Sequence, residues 1–522
     1  MTARDSLCAL SAVQQSKALA QKETTSRELT EAHLARIDRL NPKLNAFCAV
    51  FHERALADAD ASDARRKSGD PRGPLDGVPV SVKECFDLEG QATTLGLTNR
   101  KDHKAPADAA LVQLVREAGG VILGRTNNPQ LLLSHETRNP VFGQTNNPWS
   151  LGHVPGGSSG GESSAIAAGL SPLGLGSDLG GSIRVPAHFT GIAGLKPTLD
   201  RWPWRGGNTG ITGQEAVRGM AGPMARTSED LGFFMGALDP ARMTELDPRV
   251  PPLPWVSPST IDVRKLRVGV VRQDFLVKPS PAVTRALDEA AAHLRAFGCD
   301  VIDFEIPDLL EGIARYSAAL SSDGGKTLAG RLAGGVVDPM MAALLSQVRV
   351  PNTLRRVLAM VLRRHGDDAL ATVFSRAGER SLQSYYKLTA DIRAYRFTVL
   401  DAMAKARVEL LLTPPFATPA LEHLTSGEFL LGGTYAMLFN ELQLPAGTAP
   451  VTRVRDNELA PQRTQLRLEK VASRIDAKSK GLPVGVQVVG RPWAEAQVLA
   501  AMQVVEEGAR AGSEFPRTPV EL

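Results

Sequence analysis

The sequence predicts an α/β fold, a single large domain with a mixed, twisted central β-sheet that is covered by helices on both faces. Apolar runs typical of buried strands alternate with segments of helical periodicity, and this alternation indicates a sheet packed between helices. The chain has 522 residues, of which 43% are hydrophobic, so it can bury a large core. No convincing linker interrupts it, and one domain is expected over residues 1–522.

The first predicted element is a helix that begins at Thr25 and Glu28, because their spacing is that of a capping box. This helix is expected to end before Pro42. Asp108 is predicted to cap a second helix, and residues 121–123 are predicted to form the buried strand that follows it.

The same alternation returns further along the chain. A strand is predicted over 268–271, a helix over 282–297 and another strand over 301–306. The six prolines of 240–258 indicate a surface connection before these elements.

Composition and charge exclude several classes of protein. The chain has 60 basic and 56 acidic side chains and a net charge of +4, which gives no electrostatic basis for binding nucleic acid. Its four cysteines lack metal-ligand or redox spacing and are expected to be reduced thiols. Neither a secretory signal nor an apolar run of about 18 residues is found, so a cytoplasmic location is expected.

The glycine-rich run 156–163 fits two motifs imperfectly. It resembles a phosphate-binding P-loop, but Glu162 stands at the lysine position, where a carboxylate repels phosphate. It also contains the G-x-S-x-G pattern of a nucleophile elbow around Ser158. That elbow must directly follow a strand, whereas residues 146–155 are typical of a turn, so the elbow stays a weaker alternative.

A second glycine-rich run covers 174–182. It does not fit a dinucleotide fingerprint, since Leu179 replaces the third glycine. Gly180 and Gly181 place unhindered backbone N–H groups before Ser182, and such groups can stabilise an oxyanion. Taken alone, however, the run is better explained as a tight turn that needs glycine for a positive φ.

Lys83 lies inside an apolar, β-branched run, residues 77–84. A lysine inside a strand loses hydration, which lowers its pKa. The alternative, which is favoured for an isolated lysine, is a stem that packs while the amine reaches water.

Taken together, the three elements resemble the amidase-signature family in order and spacing. Ser158 follows Lys83 by 75 positions and Ser182 follows Ser158 by 24, which is similar to the fatty acid amide hydrolases in particular. The resemblance is dense over 74–198, where the catalytic core motifs lie, and loose over about 201–425. The motifs are GVPVSVK, KECFDLEG, NPVFGQTNNPW, GGSSGG, GSDLGGSIR and GIAGLKPT, then GGTYAMLFNELQLPAG from Gly432 and GLPVGVQVVGRPW from Gly481.

The resemblance implies a catalytic triad. Ser182 would be the nucleophile, and Lys83, neutral at rest, would be the base. Ser158 would connect the two through a cis peptide bond between Gly157 and Ser158. A neutral lysine can accept a proton from serine and later return it to the departing amine.

The resemblance also implies supporting roles. Backbone N–H groups would form the oxyanion hole, two charged side chains would support its loop, and a short segment would line the substrate pocket. The oxyanion hole would use Leu179, Gly180, Gly181 and Ser182. The supporting side chains would be Asp178 and Arg184, and the pocket segment would be Leu132, Leu133 and Ser134. No metal and no cofactor is expected, and His135 and His188 are expected to be wall or packing residues.

The predicted function is a serine amidase that hydrolyses fatty acyl or other hydrophobic amides through an acyl-enzyme, with esters left open as further substrates. Aryl acylamidases and carbamate-cleaving amidases share the triad and stay open as alternatives. A second alternative is the amidase component of an aminoacyl-tRNA amidotransferase, which works only with partner chains. The expected partner is a small hydrophobic amide, and a homodimer is left open.

Residues 240–425 are predicted to form a variable helical substrate or cap region, and within it 349–365 form an amphipathic helix. Leu354, Val357 and Val361 share an apolar face, with arginines on the opposite side. Two interpretations are open. The helix packs its apolar face on the core, or it is a lid or interfacial helix that makes a peripheral membrane contact.

Overall fold

The computed structural model describes residues 3–522, so the first two residues of the predicted domain lie outside the described residues. Over this range the chain forms thirteen strands and nineteen α-helices. The strands are β1 (Phe47–Val50), β2 (Pro79–Lys83), β3 (Val121–Thr126), β4 (Arg138–Asn139), β5 (Gly143–Gln144), β6 (Leu173–Asp178), β7 (Ala193–Lys196), β8 (Met220–Ala225), β9 (Arg267–Val270), β10 (Asp300–Asp303), β11 (Leu410–Thr413), β12 (Ala446–Arg453) and β13 (Pro483–Gly490). The helices are α1 (Ala3–Ala9), α2 (Ala12–Gln21), α3 (Ser26–Leu44), α4 (His52–Ser68), α5 (Ala110–Glu117), α6 (Gly160–Ala167), α7 (Arg184–Thr190), α8 (Ser228–Ala237), α9 (Pro240–Leu246), α10 (Pro281–Phe297), α11 (Leu309–Leu320), α12 (Lys326–Leu332), α13 (Pro339–Val348), α14 (Asn352–Arg364), α15 (Asp368–Arg376), α16 (Leu382–Lys405), α17 (Thr434–Glu441), α18 (Arg467–Asp476) and α19 (Glu495–Arg510).

Eleven strands form one mixed sheet in the order β1-β3-β2-β6-β8-β7-β12-β13-β11-β9-β10. Strands β3, β2 and β6 are parallel neighbours, as are β11, β9 and β10. The strands between these two groups pair in antiparallel fashion. The predicted α/β fold with a mixed central sheet is confirmed.

The centre of the sheet is covered on both faces. Every residue of β13 is buried, and a strand buried throughout has no face open to water. Helices α7, α10 and α19 pack against β12 and β13. The main hydrophobic core lies between these helices and the sheet.

The capping box at the start of α3 is confirmed. The Thr25 hydroxyl accepts from the Glu28 N–H at 3.1 Å, and the Glu28 carboxylate accepts from the Thr25 N–H at 2.9 Å. The predicted end of this helix is wrong, because α3 includes Pro42 and ends at Leu44. Proline in a last turn removes one hydrogen bond, and Asn45 then ends the helix in the left-handed conformation at φ 50°.

The predicted cap at Asp108 is also wrong. Helix α5 begins at Ala110, and its N-cap residue, Ala109, makes no side-chain cap. The carboxylate of Asp108 accepts instead from the Glu89 N–H and from Arg116 Nε, both at 2.9 Å. Asp108 therefore forms an ion pair with Arg116 and does not cap the start of the helix as the sequence pattern predicts.

The other elements lie close to their predicted positions. The strand predicted over 121–123 belongs to β3, and those predicted over 268–271 and 301–306 are β9 and β10, although β10 ends at Asp303. Helix α10 begins one residue before the predicted 282–297. The segment 240–258 is not only a connection, since α9 occupies its first part and Asp239 caps that helix.

The region 240–425, predicted as a variable helical substrate or cap region, contains both helices and strands. It contains α9 to α16, but it also supplies β9, β10 and β11 to the central sheet. Any cap function therefore belongs to the helices between β10 and β11.

Helix α14 corresponds to the amphipathic segment predicted over 349–365. Its apolar face is not packed on the core, because Leu354 is 47%, Val357 49% and Val361 44% exposed. Arg355 and Ala359 are the buried residues of this helix, which packs on α15. The core-packing interpretation is therefore wrong. None of the helices within residues 3–522 is both long and apolar enough to cross a membrane.

Candidate active site

The three predicted triad residues lie at one edge of the sheet. Lys83 ends β2, and Asp178 ends the neighbouring parallel strand β6. Because parallel strands point the same way, their carboxyl ends meet at one edge, where binding sites of such sheets form. Ser182 lies in the loop that leaves β6, and Ser158 lies just before α6.

Lys83 is buried and surrounded by hydroxyl groups. Its Nζ lies 2.7 Å from Ser158 Oγ, 2.9 Å from Ser159 Oγ and 2.9 Å from Ser177 Oγ. Its side chain is 0% exposed. The alternative of a lysine that reaches water is wrong.

Burial lowers the pKa of Lys83 to about 8, against the opposing effects of Cys85, Asp178 and Glu162. Burial also raises the pKa of Glu162 to about 8, although Ser81 and Thr126 donate hydrogen bonds to its carboxylate. Because the raised pKa of Glu162 weakens its negative charge, this carboxyl opposes the shift only in part, and burial stays the main cause of the lowered pKa of Lys83. A substantial neutral fraction of Lys83 is therefore present at slightly alkaline pH.

The two serine loops are joined through their backbones. The Ser159 N–H donates to the Ser182 carbonyl at 3.0 Å, and the peptide bond between Gly157 and Ser158 is cis. The side chains of Ser158 and Ser182 are not hydrogen-bonded to each other, since Ser182 Oγ has no hydrogen bond within the described part of the chain. Ser182 is 6% exposed and faces a cavity.

The oxyanion-hole residues predicted from the sequence differ in what their N–H groups do. The Gly181 N–H donates to Asp178 Oδ1 at 2.8 Å, so it is not free to bind an oxyanion as predicted. The N–H groups of Leu179, Gly180 and Ser182 have no hydrogen-bond partner among residues 3–522.

Two side chains hold the carbonyl groups of this loop. Tyr316 Oη donates to the Leu179 carbonyl at 3.2 Å, and His135 Nε2 lies 3.2 Å from the Gly180 carbonyl. Burial lowers the pKa of His135 to about 4, so the neutral ring carries its proton on Nε2. In a trans peptide the C=O and the next N–H point in opposite directions. Since Tyr316 binds the Leu179 carbonyl, the Gly180 N–H of the same peptide points away from Tyr316.

Asp178 and Arg184 form a buried ion pair under the loop. Arg184 Nε and Nη2 donate to the two carboxylate oxygens at 3.0 and 2.9 Å, and both side chains are 0% exposed. Burial alone would raise the pKa of Asp178, but Arg184 holds it well below its usual range. The carboxylate also accepts from the Ile183 N–H at 3.0 Å and from Asn440 Nδ2 at 2.9 Å. This network fixes the loop from below.

A cavity of about 530 Å³ opens in front of Ser182. The predicted pocket residues Leu132, Leu133 and Ser134 line it, whereas the neighbouring Leu131 is buried in a small hydrophobic cluster. The wall is predominantly apolar, and α14 contributes side chains to it. Examples of the apolar wall are Leu328, Leu344, Leu358, Val361, Leu362 and Phe374.

Sequence reasoning missed several contributors to this site. Ser159 and Ser177 flank predicted residues within the GGSSGG and GSDLGGSIR motifs, so the signal to find them was present. Asn440 likewise lies in a segment that carries the resemblance. Tyr316 lies in the loosely similar region, and nothing in its local pattern distinguishes it from an ordinary core tyrosine. His135 matches the prediction of a wall residue, with an added contact to the loop.

Comparison with known proteins agrees with this geometry. Residues 28–499 match the protein family described as Amidase. The chain belongs to this family. The resemblance to the amidase-signature family is thereby confirmed, and with it the prediction of a hydrolase that acts on amide bonds.

This member of the amidase family is similar to several fatty acid amide hydrolases. It is 40% identical over 459 residues to fatty-acid amide hydrolase 1 of Sus scrofa, and the aligned region covers 86% of this chain and 78% of the relative. It is 33% identical over 495 residues to fatty acid amide hydrolase 1 of Caenorhabditis elegans, with 89% and 85% covered. A solved structure of a fatty acid amide hydrolase superposes with a TM-score of 0.84 at 26% identity, covering 99% of this chain and 87% of that one.

Proposed function

We propose that this amidase hydrolyses fatty acyl and other hydrophobic amides through an acyl-enzyme on Ser182, with Ser158 and Lys83 completing the triad. One observation carries the proposal. A buried lysine with a lowered pKa touches Ser158 at the edge of an apolar cavity that Ser182 faces. Buried lysines of this kind are suited to act as bases.

The hydroxyl groups around Lys83 orient its lone pair. Ser159 Oγ donates to the Ser177 carbonyl at 3.2 Å, so it accepts from Lys83. Ser177 Oγ takes the second N–H. A neutral amine has two N–H groups and one lone pair, which is left facing the Ser158 hydroxyl. Ser159 and Ser177 are thus positioning residues for the base.

Acylation then follows as a proton relay. Ser182 Oγ attacks the amide carbonyl carbon while its proton passes to Ser158 Oγ, and the Ser158 proton passes to Lys83 Nζ. This step requires Ser182 Oγ to approach Ser158 Oγ within hydrogen-bond distance, and such contacts often tighten only when substrate binds. The oxyanion would be bound by the N–H groups of Gly180 and Ser182, with Leu179 at the rim.

The relay runs backwards to release the amine. The C–N bond breaks as Ser158 gives its proton to the amine nitrogen, and Lys83 returns a proton to Ser158. A water molecule then attacks the acyl carbon, giving its proton to the same relay. The carboxylic acid leaves and Ser182 recovers its hydrogen.

The apolar wall of the cavity favours hydrophobic acyl groups. Burial of one methylene contributes about 0.8 kcal/mol, or about fourfold in kcat/KM, until the cavity is filled. An activity panel of fatty, aryl and amino acid amides together with aryl carbamates tests this preference. If aryl substrates are hydrolysed faster than every fatty amide, the aryl acylamidase alternative replaces the proposal.

The amidotransferase alternative is tested with the purified chain alone. Hydrolysis of a simple amide without partner chains supports the proposal. Absence of any turnover until other subunits are added would favour the amidotransferase instead.

We also propose that α14 makes a peripheral contact with anionic membranes. Its exposed apolar face, with Leu354, Val357 and Val361, adjoins the cavity wall, and Arg356 and Arg363 lie on its solvent side. A helix with an apolar face and basic flanks is suited to lie in a membrane interface. A lipid-like amide would then enter the cavity beside α14.

Vesicle flotation tests this contact. Replacing Val357 and Val361 by Asp should reduce binding to vesicles that contain phosphatidylserine and should impair long-chain amides more than short ones. Val256→Asp is the matched control, because Val256 is 48% exposed and lies outside this helix. Unchanged vesicle binding, or equal loss on all chain lengths, would contradict the membrane role.

A further inference from the structure

Arg355 is a buried cation in the wall of the cavity. It lies on α14, is 2% exposed and lines the same cavity as Ser182. Within residues 3–522, no carboxylate forms an ion pair with it. Burying an unpaired charge is unfavourable unless hydrogen bonds compensate for the lost water.

Backbone carbonyls compensate for part of this charge. Arg355 Nε donates to the Val350 carbonyl at 3.2 Å, and Nη2 donates to the carbonyls of Gln347 and Val348. Gln347 and Val348 are the last two residues of α13, and Val350 lies two residues beyond its end, where a cation is favourable. The guanidinium carbon also lies 4.8 Å from the ring centre of Phe374.

The remaining nitrogen of this guanidinium is free. A guanidinium has five N–H groups, and the three contacts above use those on Nε and Nη2. Nη1 has no hydrogen-bond partner among the described residues. The acidic side chain of the cavity wall, Glu428, is already paired with Arg474 at 2.8 Å. Two donors on a positive group are thus left for a ligand.

We propose that Arg355 Nη1 binds a carboxylate that the substrate carries at the end of its hydrophobic acyl chain, remote from the amide. The preferred substrates are then monoamides of long dicarboxylic acids. The inference rests on the proposed function, since it assigns a second group in the same cavity. Because carbonyls already occupy Nε and Nη2, the carboxylate can bind only through Nη1. A charged hydrogen bond to carboxylate is among the stronger ones in proteins.

The test compares two series of 4-nitroanilides with chains of six to sixteen carbons, one ending in methyl and one in carboxylate. The wild-type chain should prefer the carboxylate series at one chain length by at least tenfold in kcat/KM. Arg355→Gln and Arg355→Met should reduce this ratio at least tenfold, whereas Arg355→Lys should keep part of it. Arg467→Gln is the matched control, because Arg467 is an exposed cation on the same cavity wall, and it should keep the ratio.

The outcomes separate this inference from the proposed function. A wild-type ratio near one at every length, or a ratio lost in Arg467→Gln alone, overturns the Arg355 subsite. Arg355 also caps α13, so thermal unfolding of each variant is measured. If the variants do not fold, competition by long dicarboxylates against monocarboxylates in the wild-type chain decides. If no anilide is hydrolysed, the proposed function fails. Calorimetric binding of dodecanedioate, compared between wild type and Arg355→Gln, still tests the subsite.

Discussion

Removing the amine of Lys83 tests the base directly. The fall of its pKa from 10.5 to about 8 raises the neutral fraction at pH 7 about 300-fold, to roughly a tenth of the molecules. Since only the neutral amine can accept a proton, kcat/KM should rise about tenfold per pH unit below pH 8 and level off above it. Lys83→Ala should lower the rate at pH 7 by about 10²–10⁴-fold, the usual contribution of a general base. Its residual rate should rise with hydroxide concentration.

The assay is the initial rate of hydrolysis of a fatty acyl 4-nitroanilide from pH 5.5 to 10, with circular dichroism to verify folding. Lys83→Arg should stay inactive, because a guanidinium does not release its proton in this range. Lys196→Met is the control, since burial also lowers the pKa of Lys196 to about 7, yet this lysine contacts the Pro197 carbonyl and Met220 rather than a serine. Near-normal activity of Lys83→Arg at pH 7 would refute a neutral lysine base. A midpoint of the pH–rate profile that shifts only in Lys196→Met would also refute it.

Three further changes follow from the site. Ser182→Ala should abolish hydrolysis with an unchanged unfolding midpoint, and a fluorophosphonate should label Ser182 in the wild type; an adduct mapped elsewhere by mass spectrometry contradicts the assignment. Tyr316→Phe removes one hydrogen bond of about 0.5–1.5 kcal/mol and should lower kcat about two- to thirteenfold with little change in KM; a change confined to KM would show a substrate contact instead. Arg184→Met leaves the buried carboxylate of Asp178 unpaired and should destabilise the fold by about 3–5 kcal/mol in urea unfolding; a loss below about 1 kcal/mol would contradict the ion-pair account.

The candidate triad residues could be predicted because three motifs occur together in the order and spacing of one family, although each motif taken alone is better explained by ordinary structure. Lys83 ends a β-branched run, and Ser182 follows a glycine pair, so the local patterns place both residues near strand ends. Parallel pairing of β2 and β6 then brings them to one edge. Tyr316 could not be predicted in this way, because its contact with Leu179 joins residues 137 positions apart. The misplaced cap at Asp108 has a similar cause, since an ion pair with Arg116 overrides the local preference.

Helix α14 shows why the same limits apply to substrate selectivity. Periodicity establishes which side chains share a face, but not which face packs. Here the buried residues are Ala359 and Arg355, and Arg355 donates hydrogen bonds to carbonyls at the end of α13. The apolar stripe with Val357 is consequently displaced toward solvent and the cavity. A free guanidinium donor and an exposed apolar face thus occur on one helix of the region where resemblance to relatives is loose. Differences in substrate between members of the family are expected to arise in this region.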